Sequence, residues 1–404
     1  MVLIERLIKM TKENSIGTML IIGNGFDLNL GMKTSYKSFF EEMEAMGFWT
    51  YYKNNPLIAY IYERGIKENW YSFEDIIKEF ALESTESVNI VFCNKMIETI
   101  KQIHHFEDGV LPKISNYGCL KDIIPSIVDL IKECKKYDFI NPKLLSSIKP
   151  VCAKIVKERN FYIDYVRENC IAAISLLKKE LVEFLLKAHP VNEYHASLKI
   201  LCALLGCDGR GFKSWEENLK NKYNSIEDLF YLPKYRFVSF NYTDTIKWVM
   251  RTIKVGASKA LEEDITSISK SIYNIHGKLD DNIAFGTDED DNIPKELWCL
   301  RKCSYLGKNT KAIFYEDLCN SKRIVIFGHS INGIDFEYYE EFFKNKGLAN
   351  EIYILSHTQE SLDEIKKGLE LKGVSVRAKY IIADLYNNDF VSLCDEINKE
   401  QSQK

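Results

Sequence analysis

Hydrophobic and polar positions follow two different rhythms along this chain. Thr18-Met19-Leu20-Ile21-Ile22 is a short continuous apolar run stopped by Gly23-Asn24-Gly25, as in a strand buried on both faces. Residues 36–46 then place Tyr36, Phe39, Phe40 and Met43 at helical spacing, with Thr34 or Ser35 as candidate caps. The opening unit reads as strand, glycine turn, short loop and helix. Residues 50–231 change rhythm, with long helical periodicities over 73–82, 88–103 and 163–187 and few Gly or Pro residues. Within them, Ile171 to Leu177 reads as a buried helical segment. Strand signals return after Pro233, over residues 235–240, 271–275, 323–327, 351–355 and 374–382, with helical spacing over 336–346 and 359–372 between the later ones. Alternation of this kind predicts an α/β domain with a parallel sheet and helices on its faces. The assembly it implies has residues 1–49 as the first part of the sheet domain, 50–231 as a large all-helical insertion and 232–404 as the remainder.

Composition narrows the function classes. At 404 residues the chain has room for two or three domains. Its 54 Lys+Arg against 58 Asp+Glu give a net charge of -4, without the basic excess of a dedicated nucleic-acid binder. Hydrophobic residues at 46% and charged residues at 28% describe an ordinary folded protein. No apolar run approaches the roughly 20 residues that span a bilayer, and Glu5, Arg6 and Lys9 interrupt the stretch where a secretory signal would need an apolar core. The expectation is a cytoplasmic protein without a membrane partner. The 11 cysteines include no C-x-x-C pair, so no structural zinc is expected.

Ligands of open α/β sheets bind beyond the carboxyl ends of the strands, and here each such end carries small or polar residues. Gly23-Asn24-Gly25-Phe26-Asp27 follows the first strand; two glycines would let backbone N–H groups approach a phosphate, as well as make a tight turn. The common dinucleotide fingerprint calls for glycine where this chain has Leu28. Asn241 ends the second strand, and its amide can orient a water or hold a ribose hydroxyl, or cap the following helix. His276-Gly277 ends the third, where an imidazole can act as base or bond a sugar hydroxyl. Gly328-His329-Ser330-Ile331-Asn332-Gly333-Ile334-Asp335 approaches a nucleophile elbow but has Asn332 where the elbow needs glycine; a second phosphate or ribose loop fits better. Trp70 and Glu74 share a helix face, and the acidic run 288–291 reads as a solvated loop.

Leu-Ile-Ile-Gly-Asn-Gly-Phe-Asp-Leu, Ser-Phe-Asn-Tyr-Thr-Asp, Asn-Ile-His-Gly and Phe-Gly-His-Ser-Ile-Asn-Gly-Ile-Asp together resemble the AbiH family of bacterial abortive-infection (anti-phage) proteins. Trp70 to Glu74 fits that family as well. Their order also resembles the sirtuin-like NAD-binding fold. The resemblance implies a Rossmann-like (sirtuin-like) domain that hydrolyses NAD to nicotinamide and ADP-ribose, with NAD as substrate and no metal. Gly23, Asn24, Gly25 and Asp27 would meet NAD, Asn241 would place the water or ribose, and His276 would contact ribose hydroxyls. Gly328, Ser330 and Asp335 would line the other half of the cofactor. The missing C-x-x-C pairs argue against sirtuin-type protein deacylation. A homo-oligomer and a phage-derived trigger would belong to such an effector. A nucleotide-sensing module without turnover and a nuclease or other hydrolase stay open beside it.

Overall fold

The run Ile16–Ile22 is β1, and its last five residues are buried, as expected of a central parallel strand. The computed structural model describes residues 16–68, 72–104, 142–188, 196–204, 235–246, 272–277, 279, 283–287, 293, 295–302, 310–331, 333–345 and 351–402. Five further strands follow: β2 (Tyr235–Ser239), β3 (Tyr273–Asn274), β4 (Ser321–Phe327), β5 (Glu351–Ser356) and β6 (Lys379–Ile382). They form one sheet in the order β3-β2-β1-β4-β5-β6, with every pairing parallel. The chain begins at the centre, runs outward through β2 to β3, then returns to the other flank of β1 with β4. The direction of winding therefore reverses between β1 and β4.

Alternation along the strands sends successive side chains to opposite faces. Leu20, Ile22, Val325, Phe327 and Leu355 face one way and pack with the helices Ala196–Leu204 and Asn388–Ser402. Met19, Ile21, Ile324, Ile326 and Ile354 face the other and pack with Thr310–Asn320 and Gln359–Leu371. Ser35 caps the helix Tyr36–Ala45 by accepting from Ser38 N–H at 3.1 Å.

The chain forms two compact units. The sheet unit comprises Met1–Met46, Leu177–Asp288 and Lys302–Lys404; the helical unit comprises Gly47–Leu176 and Glu289–Arg301. The helix Ala196–Leu204, placed by its sequence with the insertion, thus covers the sheet, because Ile200, Leu201 and Leu204 are buried in the sheet's own core. Within the helical unit, the periodicities of 73–82 and 88–103 belong to one helix, Phe73–His104. Asn55 accepts from Leu57 and Ile58 N–H at 3.0 and 3.2 Å, capping Pro56–Glu68, while its Nδ2 donates to Asn169 O in Pro142–Leu186 at 2.8 Å. The stretch Ile171 to Leu177 is amphipathic rather than enclosed: Ala173, Ile174 and Leu177 are buried, and Ile171 is 40% exposed. Trp70 and the acidic run 288–291 lie outside the described residues.

Among the described residues, helices not expected include Asn24–Asn29, which starts inside the Gly23-Asn24-Gly25 turn, Thr310–Asn320 and Asn388–Ser402. The last had a legible signal, since Phe390, Leu393, Cys394 and Ile397 recur at i, i+3, i+4 and i+7, and Asn387 caps it by accepting from Asp389 and Phe390 N–H at 3.0 and 3.1 Å. The interval 336–346 is shorter than its spacing suggested and splits into a 3-10 turn, Ile334–Tyr338, and the short helix Glu340–Lys344.

Arg323 is the one charged side chain on β4 that is almost wholly enclosed, at 1% exposure. Its Nε lies 2.9 Å from Glu351 and its terminal nitrogen 2.7 Å from Glu396, joining β4, β5 and the helix Asn388–Ser402. A charge-assisted bond of this kind contributes about 1.5–3 kcal/mol. Arg323→Met keeps the apolar stem but removes both bonds, so a drop in unfolding free energy of roughly 2–3 kcal/mol is expected, read by urea denaturation; an unchanged midpoint would show that the pair is dispensable.

Candidate functional site

The sheet brings its polar strand ends to one edge because register dictates it. Ile22 lies opposite Ser239 and Phe327, and Ser239 opposite Asn274. Gly23, Asn241, His276 and Gly328 therefore emerge just past neighbouring strand ends, beside the β1/β4 reversal. Backbone bonds extend the ladder into these loops: Phe240 N–H to Ile22 O at 2.9 Å, Ile275 N–H to Ser239 O at 2.8 Å and Gly23 N–H to Phe327 O at 3.0 Å.

The glycine turn is packed against the loop after β4. Gly25 N–H donates to Gly328 O at 2.8 Å. A Cβ at Gly23 would sit 2.5 Å from His329 Cα, and one at Gly25 would sit 2.7 Å from Gly328 Cα. Gly328 has φ +63 and would place a Cβ 2.4 Å from Gly25 C. These glycines are demanded by the approach of two backbones. The N–H groups at 23 and 25, expected to cradle a diphosphate, are already bonded to Phe327 and Gly328 carbonyls. His357, at the end of β5, holds the same turn with Nε2 at 2.7 Å from Gly25 O, and its Nδ1 lies 3.2 Å from Asn29 Nδ2. Asn29 in turn accepts from Ser197 N–H and Oγ at 2.7 and 2.8 Å. Asn24 and Ser330, by contrast, are exposed at this edge, and Asn24 Oδ1 accepts from Thr34 Oγ1 at 2.6 Å.

Asp27 points inward rather than toward a ligand. It is fully buried and accepts from the Thr243 hydroxyl and, at 2.7 Å, from the Thr245 hydroxyl. Burial raises its pKa from the ordinary 3.8 to about 6, against the lowering influence of bonds from Thr243, Thr245 and Asn241. Asn241 Nδ2 donates to Gly23 O at 3.0 Å, and its backbone N–H donates to Ser239 Oγ at 3.1 Å. Asp27 and Asn241 together fasten the loop after β2 to the turn after β1.

Beside this fastening lies a buried ionisable cluster. His276 Nε2 lies 3.0 Å from Asp335 Oδ1, and Lys302 Nζ lies 3.2 Å from the same oxygen. Burial alone would raise the Asp335 pKa, yet its neighbours His276 and Lys302 hold it well below the ordinary value. His329 stacks on Phe240 at 4.0 Å, and burial pushes its pKa down to about 4, so it is neutral at physiological pH. Its Nε2 and the Tyr339 hydroxyl are buried without a hydrogen-bond partner, and His276 Nε2, though close to Asp335, makes no well-aligned hydrogen bond either; in a native interior such atoms call for a water, ion or ligand group. The Phe240 ring separates the parts, lying 5.3 Å from the His276 ring and 5.5 Å from that of Tyr338. An ionised carboxylate against an imidazole, with a neutral second imidazole nearby, is an arrangement suited to orienting a hydroxyl-bearing substrate.

The sequence model of the family described as Bacteriophage abortive infection AbiH matches residues 19–165 and 186–357. The chain belongs to the AbiH family. Comparison with curated proteins and with solved structures gives no match. The family implies abortive-infection defence against bacteriophage. All the candidate residues of this AbiH chain lie within the second matched segment or the start of the first. No helix among its described residues is long and apolar enough to cross a membrane, and no group of three or more His, Cys, Asp or Glu there could hold a metal ion.

The structure brings Gly23, Gly25, Asp27, Asn241 and Gly328 into one set of loop contacts, and His276 with Asp335 into another. Three contributors were missed from the AbiH sequence. His329 lay inside a recognised motif and showed only its type. Lys302 had no signal at all, being one of many lysines. His357 could be seen as the residue after a strand and as the last histidine, where a Ser-acid-His order would have to end, but not as a partner of the glycine turn.

Two outcomes follow for the AbiH fold. Gly328→Ala puts a methyl into the Gly25 backbone at positive φ, and is expected to lower unfolding free energy by more than about 2 kcal/mol, whereas the same change at Gly373, with nothing within 4 Å of its added Cβ, should cost about 1 kcal/mol of backbone strain. A carboxyl whose folded pKa is raised favours the folded state below its unfolded value. Its contribution is complete below about pH 4 and is lost as pH rises through about 6. The loss amounts to about 3 kcal/mol by neutral pH. Asp27→Asn should flatten that segment of the stability–pH curve from denaturant titrations between pH 4 and 7; an unaltered slope would mean that Asp27 is not the group responsible.

Proposed function

We propose that this AbiH chain is a defence effector that cleaves NAD to nicotinamide and ADP-ribose, on a Rossmann-like sheet of sirtuin-like type. What carries the reading is the shared edge: Asn241 and His276 follow the paired strands β2 and β3, and Asn241 is bonded to the turn after β1. The strand order is that of sheets that bind dinucleotides where the winding reverses. Because the Gly23 and Gly25 N–H groups serve the protein's own backbone, recognition of the substrate rests on the exposed Asn24 and Ser330 rather than on a bare glycine cradle.

In the proposed reaction the bond between nicotinamide nitrogen and the ribose anomeric carbon breaks, and its electron pair leaves with nicotinamide. The leaving group is neutral once released, so the reaction needs little general acid. It needs a site that limits water and supports the developing positive charge on the sugar. Asn241, anchored through Nδ2, presents its amide oxygen to a water. That water forms the new bond to the anomeric carbon and its extra proton passes to solvent water. His276 accepts a hydrogen bond from a ribose hydroxyl and keeps the sugar in place. Activity is gated by assembly of like chains or by a phage-derived trigger, since an unregulated effector would drain its own cell.

Purified full-length chain incubated with NAD, alone and with extract of phage-infected cells, should release nicotinamide in at least one condition. His276→Ala and Asn241→Ala should lower the rate by roughly 10²–10⁴-fold while leaving the thermal midpoint within a few degrees. Cleavage by Asn241→Ala at the wild-type rate would refute the assignment. Tight NAD binding without nicotinamide release would identify a sensing module instead.

A further inference from the structure

We propose that Asp335 and Lys302 are a positioning pair that sets the tautomer of His276, with the proton on Nε2 and the lone pair on Nδ1. The observation is the three-body contact itself. Asp335 Oδ1 is 3.0 Å from His276 Nε2 and 3.2 Å from Lys302 Nζ, and the His276 and Lys302 side chains are 4% and 6% exposed. A carboxylate has only acceptor sites, so the imidazole nitrogen facing it must carry hydrogen. The other nitrogen, Nδ1, is then left as the acceptor for a substrate hydroxyl. Lys302 keeps Asp335 ionised in a buried place where an isolated carboxyl would take up a proton, and Asp335 is indeed held well below its ordinary range by these two neighbours.

The surroundings hold the geometry rigid. Phe240 meets the His276 ring edge-on at 5.3 Å and Tyr242 lies over it at 5.9 Å, which limits rotation of the ring. The chain around Lys302 is tied to the same platform: Lys302 N–H donates to Thr287 O at 2.7 Å, and Ala284 N–H donates to His276 O at 2.8 Å. Asp335 comes from the first turn of the 3-10 segment Ile334–Tyr338. His329, which also packs on Phe240, is kept neutral by burial and adds no competing charge.

The tautomer can be read without any turnover. Full-length chain labelled with 15N-histidine gives two imidazole nitrogen shifts per residue, and His276→Gln identifies the pair belonging to His276. The expected wild-type signal at pH above 7.5 is protonated Nε2 and unprotonated Nδ1. In Asp335→Asn and Lys302→Met the two shifts should converge as both tautomers become populated, whereas Lys302→Arg should retain the wild-type pattern. A wild-type His276 with its proton on Nδ1, or shifts unmoved in both Asp335→Asn and Lys302→Met, would overturn the proposal. Its consequence for rate rests on the NAD-cleavage reading: Asp335→Asn should lower kcat by about 10²-fold or more with KM within about threefold. If the expected tautomer is seen but wild-type chain never releases nicotinamide, the cleavage reading falls and the positioning pair stands. If NAD is cleaved but the wild-type tautomer is the opposite one, the pair falls alone.

Discussion

The contact between two backbones, Gly23 to Gly25 on one side and Gly328 to His329 on the other, is the constraint from which the site's geometry follows. Carbon-to-carbon approaches this close leave no room for a Cβ on either loop. They bring the turn after β1 against the loop after β4, at the place where the sheet reverses its winding. Three other elements of the edge are then tied to these two loops. Asn241 reaches Gly23 O, His357 reaches Gly25 O, and the 3-10 turn bearing Asp335 begins a few residues beyond Gly328. The alternative use of such glycines, as open cradles for a phosphate, requires N–H groups that here already have acceptors.

Two buried carboxyls at this edge show how neighbours rather than burial decide the state of an acid. Asp27 has hydroxyl and amide donors only, and the cost of burying its charge outweighs them, so its pKa rises. Asp335 is largely enclosed too, but it has His276 and Lys302 beside it, and these neighbours hold its pKa down against the same desolvation. One acid is a fastening between loops; the other is a charge held ready next to an imidazole. Opposite shifts of like residues within one edge are also the pattern by which acid–base sites separate the roles of two carboxyls.

The family assignment and the sheet edge bear on each other. The AbiH match begins in β1 and ends at His357, after β5, so it spans the strands whose ends form the site and also much of the helical unit.

Much of this was present in the linear order of residues. Short apolar runs ending in Gly, Asn or His placed β1, β2, β4 and β5, because a doubly buried strand has to be apolar and its exit does not. The polar strand ends were visible for the same reason, as was their common edge, since parallel strands all point one way. Direction and depth were not visible. Asp27 and Asn24 stand three residues apart in one turn, yet one is buried and the other exposed; which of them faces solvent is set by the loop after β2, more than 200 residues away in the chain. Lys302 acquires its role only from proximity to Asp335, and no local pattern distinguishes it from other lysines. Local composition determined which segments become strands and what chemistry their ends carry, because backbone burial acts residue by residue. Partnership, burial and ionisation state were decided by the tertiary structure, because they depend on distances between residues that the sequence leaves far apart.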